Sequence, residues 1–126
     1  MRFGWLTAAL IWMGIIFFLS SIPNLELSGT LSTYDLALRK LAHITEYAIL
    51  TMLLLKTFTA NADRKKYILV ACIAIVYACS DELHQSLVPT RDGKIADIII
   101  DSIGIVIGIL ISRKLHTRHA STNIPN

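Results

Sequence analysis

Charge is scarce in this chain. Only 17% of its 126 residues are Asp, Glu, Lys or Arg, while 54% are hydrophobic, and the mean hydropathy is +0.58. A soluble domain of this size cannot bury so much apolar surface, which argues against a helical bundle in water. Cysteine is scarcer still. Cys72 and Cys79 stand seven residues apart within one apolar run. On a helix that is about 10 Å of rise, out of reach of a bridge. The pair reads as small apolar packing residues and carries no information about redox compartment. Also lacking are an internal repeat, a low-complexity segment and an H-E-x-x-H zinc motif. No Ala-x-Ala cleavage site follows the first apolar run, so that run reads as a retained helix. The basic tail is short and has no interleaved aromatics, which argues against a nucleic-acid partner.

Four apolar runs fill most of the chain: 3–20, 41–60, 67–88 and 95–111. About 20 helical residues cross a bilayer core, and each run has 17 to 22. The expected fold is an all-α membrane protein with four transmembrane helices, at about 3–21, 40–60, 66–87 and 95–112. Residues 1–112 form the membrane domain, and 113–126 a basic, polar, disordered tail. Basic residues set the orientation. Arg2, Lys56, Arg64, Lys65, Lys66, Arg113, Lys114 and Arg118 fall on one side, and Arg39, Lys40, Arg91 and Lys94 on the other. The positive-inside rule places the larger group, and with it both termini, in the cytoplasm. The lipid bilayer is the first partner that this pattern implies. Trp5 is a candidate interfacial anchor.

The acidic residues gather differently. Of nine, only Asp63 lies on the cytoplasmic side of this topology. At 100° per residue, Lys40, His43 and Tyr47 share a face at the start of the second helix, with Glu46 beside them. The third helix ends with Ser80, Asp81 and His84 on one arc. Gln85 lies at its edge, and Glu82 points elsewhere. The link that follows, with Pro89, Arg91 and Gly93, is a turn by composition. In the fourth helix Asp97, Asp101, Gly104, Gly108 and Ser112 form one stripe, polar above and small below. Gly104-x-x-x-Gly108 allows close approach of another helix.

Ionisable groups inside membrane helices cost roughly 2.5–3.5 kcal/mol each at the midplane and mark functional sites by default. The alternative is a polar network that fixes helix packing. For any one residue the two readings are balanced, and the one-sided gathering favours function for the group. Its chemistry stays open. His43, Glu46, Asp81 and His84 have the i, i+3 spacing of metal ligands, and Asp97 and Asp101 could complete a mixed shell for a divalent metal. General acid–base work by His43, His84 and an aspartate needs no metal. Arg39, Lys40, Arg91 and Lys94 suit an anionic or phosphate-bearing ligand, or snorkel to headgroups. Ser20 and Ser21, before Pro23, either terminate the first helix or turn their hydroxyls toward the pocket.

The order of these motifs resembles the VanZ-like family of small bacterial membrane proteins. The matching elements are Ser20-Ser21-Ile22-Pro23, Lys40-x-x-His43-x-x-Glu46-Tyr47 and Ser80-Asp81-Glu82-Leu83-His84-Gln85. They continue with Pro89-x-Arg91-x-Gly93 and Asp97-x-x-x-Asp101-x-x-Gly104-x-x-x-Gly108. Thr90 stands where the family's turn has glycine, and some members carry Asn at the position of Asp101. The founding member gives low-level resistance to teicoplanin. The resemblance implies a multi-pass protein of the bacterial cytoplasmic membrane with a role in the cell envelope. The leading expectation is an outward-facing pocket that binds or acts on a lipid-linked or anionic envelope precursor. A membrane-embedded hydrolase or transferase is the second, and a structural or interaction protein the third. Transport would need a homo-oligomer, since four helices are few for a carrier.

Overall fold

The computed structural model describes residues 2–23, 30–58, 63–91 and 93–121, with backbone alone at 30–33 and 117–121. The described residues form four helices: α1 (Phe3–Ser20), α2 (Thr30–Thr57), α3 (Arg64–Gln85) and α4 (Ile95–Ser121). In α1 the residues before Ser20 are apolar but for Thr7, whose hydroxyl donates to the Phe3 carbonyl at 3.0 Å. The Ser21 N–H closes the last turn on the carbonyls of Phe17 and Phe18 just before Pro23.

Two helices begin or end away from the expected boundaries. α2 starts at Thr30, ten residues before the expected boundary at 40. Ser32-x-x-Asp35, which has the S-x-x-D form of an N-terminal cap for a short helix leading into the second span, therefore lies inside α2. There Asp35 pairs with Arg39 one turn on, a spacing that supports helix continuation. α4 runs past 112 to Ser121, because no proline or glycine interrupts 109–124. The first part of the expected tail is thus helical, and 122–126 lie outside the described residues.

The helices alternate in direction. The Arg2 N–H donates to the Thr57 carbonyl at 2.9 Å, which sets the start of α1 beside the end of α2. The Tyr77 hydroxyl donates to the Met13 carbonyl at 2.6 Å and ties α3 parallel to α1. Lys56 Nζ lies 4.3 Å above the Trp5 ring at the same end as Arg2. α2 is the hub: it packs on α1, α3 and, most extensively, α4. Along α2 and α4 the backbones nearly touch. A Cβ on Gly104 would collide with the Ile44 carbonyl, and one on Gly108 would sit 2.6 Å from the Ala48 carbonyl.

The distribution of polarity is inside-out. Ile16, Leu50, Val70, Ala74 and Ile105 are buried, but so are Asp81, Glu82, Gln85 and Asp101. Leu10, Phe18, Ile68, Val76, Ile99, Val106 and Leu110 are exposed. Cys72 and Cys79, expected to pack inside, are exposed on α3. An apolar exterior of this extent is what lipid contacts demand. Among the described residues, three stretches are long and apolar enough to cross a membrane: Phe3–Ser20, Arg64–Gln85 and Ile95–His116. α2 falls outside that set. Its apolar run is diluted by Lys40, His43, Glu46 and Lys56, and it is the helix most enclosed by others.

Candidate functional site

The polar groups meet at one end of the bundle, where α1 and α3 finish and α4 begins, against the middle of α2. α1 delivers Ser20 and Ser21. α2 presents His43, Glu46 and Tyr47 over its inward-facing turns. α3 contributes Asp81, Glu82, His84 and Gln85 in its last two turns, and α4 contributes Asp101.

Two chains of hydrogen bonds organise the centre. In the first, Asp101 Oδ1 accepts from His43 Nδ1 at 2.9 Å. Asp101 is 0% exposed, so the imidazole is held by a fully enclosed carboxylate. In the second, Gln85 Nε2 donates to Asp81 Oδ2 at 2.8 Å and to Ser20 Oγ at 3.3 Å. Arg91 Nη1 donates to Gln85 Oε1 at 3.1 Å. Arg91 also donates from Nε to the Ile22 carbonyl at 2.9 Å and from Nη2 to the Leu19 carbonyl at 3.1 Å. These last bonds go to carbonyls at and just beyond the end of α1, where intrahelical partners run out; the Leu19 carbonyl also accepts the Ile22 N–H at 3.3 Å. Three of the five N–H donors of the guanidinium thus fix its plane. Burial first, and the charge of Arg39 second, push the Arg91 guanidinium below its ordinary pKa, while Asp81, Glu46 and Glu82 pull it back up. An arginine still keeps its charge at neutral pH.

Between these chains lies a half-open cleft of about 250 Å³, lined by Leu19, Ser20, Ile22, Ala42, His43, Glu46 and Arg91. Its polar groups are a cation, an imidazole, a carboxylate and a hydroxyl on otherwise apolar walls.

Below the cleft, several buried atoms are left unmatched. Tyr47 Oη, Asp81 Oδ1, Glu82 Oε1 and Asp101 Oδ2 are enclosed without a hydrogen-bond partner among the described residues. Buried polar atoms are paired in the great majority of cases, so four in one place call for an explanation. His43, Asp81 and Glu82 each present one atom suited to ligate a metal, all within 4.8 Å of one another.

Not every candidate residue joins this centre. Glu82, read from helix phase as pointing away, does: it is 5% exposed, lies with His43 and Asp81, and also reaches the start of α4. There its Oε2 accepts the Lys94 N–H at 3.0 Å. Gly93 packs so closely on the Glu82 carbonyl that a Cβ would collide with it. His84 leaves the Asp81 arc and stacks on Phe17, ring centroids 4.3 Å apart. Its Nε2 lies 2.9 Å from Ser21 Oγ. The Ser21 hydroxyl also reaches the Phe17 carbonyl at 2.7 Å; with its proton there, the Nε2–H tautomer of His84 donates to Ser21 Oγ. Glu46 lines the cleft, and its carbonyl accepts from Trp12 Nε1 at 2.9 Å. Lys40 is exposed and Asp97 half-buried. Ser20, for which the sequence leaves helix ending and pocket lining both open, lines the cleft, and its partner Gln85 lies 65 residues away.

A family model described as VanZ/LLP1 matches residues 5–116, nearly the whole chain. No curated protein and no solved structure matches it.

Proposed function

We propose that this chain, which belongs to the VanZ/LLP1 family, is a multi-pass membrane protein that binds the anionic headgroup of a cell-envelope component in the cleft between α1 and α2. The proposal includes four spanning helices in the bacterial cytoplasmic membrane, both termini inside, and the cleft facing out. The chemical class we favour is a phosphate-bearing, lipid-linked precursor. A contribution to glycopeptide resistance, teicoplanin above all, belongs to the same proposal and follows from the family resemblance.

The observation that carries this reading is Arg91. Its guanidinium is anchored to two carbonyls of α1 and to Gln85, and it lines the cleft with Ser20 and His43. A rigidly held guanidinium offers paired N–H groups to phosphate oxygens, and apolar walls receive the adjoining chain. Purified protein in detergent, titrated with a polyprenyl phosphate, should bind it. Arg91→Ala should weaken that binding by about 10- to 100-fold, the range for a lost hydrogen bond to a charged group. Arg91→Lys should weaken it less, since charge remains while the planar fork is gone. Equal affinity in all three proteins would rule the reading out.

A second reading, a hydrolase or transferase on the same headgroup, is favoured by the Asp101–His43 pair, which has the form of an oriented general base. It requires turnover. Conversion of the polyprenyl phosphate or of a lipid-linked precursor by wild type, lost in His43→Gln, would establish it; binding without conversion leaves the first reading.

A further inference from the structure

We propose that His43, Asp81 and Glu82 form a binding site for a first-row divalent cation, with Asp101 as the positioning residue that orients His43. The site lies under the cleft and goes beyond the headgroup reading, since the ion can be measured whether or not a headgroup binds.

Two observations meet here. The first is the donor set: one atom each from His43, Asp81 and Glu82, within 4.8 Å of one another. Ligands about 2 Å from one ion lie up to about 4 Å apart, so closing on an ion asks for side-chain movements of roughly an ångström. The second is that the carboxylates are incomplete without one. Asp81 is 2% and Glu82 5% exposed. One oxygen of each is used: Asp81 Oδ2 by Gln85 at 2.8 Å and Glu82 Oε2 by the Lys94 N–H at 3.0 Å. The other oxygens, Asp81 Oδ1 and Glu82 Oε1, are buried without a partner among the described residues. Arg91 does not supply what they lack, because its hydrogen bonds go to Gln85 and to the Leu19 and Ile22 carbonyls. Buried charges are paired or coordinate metals.

The imidazole is prepared in the same sense. Its Nδ1–H donates to Asp101 Oδ1 at 2.9 Å, which leaves Nε2 with a lone pair. A carboxylate behind a ligating histidine fixes the tautomer and raises its basicity. One imidazole nitrogen and two carboxylate oxygens suit Zn²⁺ or Mn²⁺. Mg²⁺ fits less well, because it dehydrates reluctantly and prefers oxygen alone. Three protein ligands leave at least one position for water or an oxygen of the cleft's ligand.

The test uses the full-length chain in detergent, stripped with a chelator and titrated with Zn²⁺ or Mn²⁺, with Mg²⁺ for comparison. Zn²⁺ or Mn²⁺ should bind at about one ion per chain and raise the melting temperature by about 5 °C or more at saturation. Asp81→Asn and Glu82→Gln keep the side-chain shape and remove an unmatched charge. Without metal each should melt no lower than wild type, which shows that it folds, and each should lose most of the metal-induced rise. Asp101→Ala should weaken the ion's affinity by about 10- to 100-fold. The proposal is overturned if wild type takes up neither ion, or if Asp81→Asn and Glu82→Gln bind as wild type does.

Discussion

His43 owes its orientation to one oxygen. Asp101 Oδ1 accepts its Nδ1–H, while Asp101 Oδ2 is buried without a partner among the described residues. An asparagine offers the same Oδ1 acceptor, so the bond to His43 needs a carbonyl oxygen and not a full carboxylate. Asp101→Asn should therefore keep most of the protein's thermal stability in detergent. Asp101→Ala should lose about 1–3 kcal/mol, because it strands the N–H of a largely enclosed imidazole. A thermal melt that ranks alanine at or above asparagine would refute this. Family members with Asn at this position fit an orienting role. Thr90 makes the complementary case. Its φ of 65° lies in the left-handed region, where a β-branched side chain is strained and glycine is not. The resemblance expects glycine there. Thr90→Gly should stabilise the turn by about 1 kcal/mol, raising the melting temperature without affecting headgroup binding. A lower melting temperature would show that the threonine side chain contributes more than its backbone costs.

The α2–α4 pair shows what an element can and cannot reveal in sequence. The stripe from Asp101 through Gly104 to Gly108 is a phase argument internal to one helix, and 100° per residue fixes it before any partner is known. What the sequence does not name is the partner, here Ile44 and Ala48 of α2. Gly104→Leu should break this contact. A Cβ already collides with the Ile44 carbonyl, and backbone cannot yield as a side-chain tip can. We expect a loss of well over 1 kcal/mol, read as reduced accumulation in membranes and a lower melting temperature. Undiminished levels and stability would mean the helices can separate without cost. The same logic explains why helix phase alone does not place Glu82. Helix phase places it off the Asp81–His84 arc, correctly for α3 alone. The chain reversal through Gly93 and Lys94 then brings the start of α4 against it, an event that no periodicity within α3 encodes. The ten residues of α2 before position 40 carry a cap signal for a short leading helix, Ser32-x-x-Asp35, but not its continuity with the span, because a polar helical stretch lacks the apolar run by which spans are recognised.

For the whole molecule the decisive question is whether α2 spans. Its apolarity alone does not qualify it beside Phe3–Ser20, Arg64–Gln85 and Ile95–His116. Packing supplies the missing argument. Thr57 sits against Arg2 at one end of the bundle, and His43 sits against Asp101 at the other. Between those points α2 runs alongside its neighbours, with Tyr47, Leu50, Thr51 and Leu54 buried. A helix enclosed by three others needs little apolar surface of its own, and charged groups at its ends face partners or headgroups. On the proposed four-span reading α2 crosses the bilayer with the other three, and the number of spans is even. Arg2, Lys56, Arg64–Lys66 and Arg113 then share the cytoplasmic side, and the cleft opens outward. In a Cys72→Ser, Cys79→Ser background, Thr30→Cys should react with a membrane-impermeant thiol reagent added to intact cells, and Ala62→Cys only after the cells are opened. The reverse pattern would turn the protein over and put the cleft inside. Labelling of both positions from outside would remove α2 from the membrane and, with it, the four-span reading.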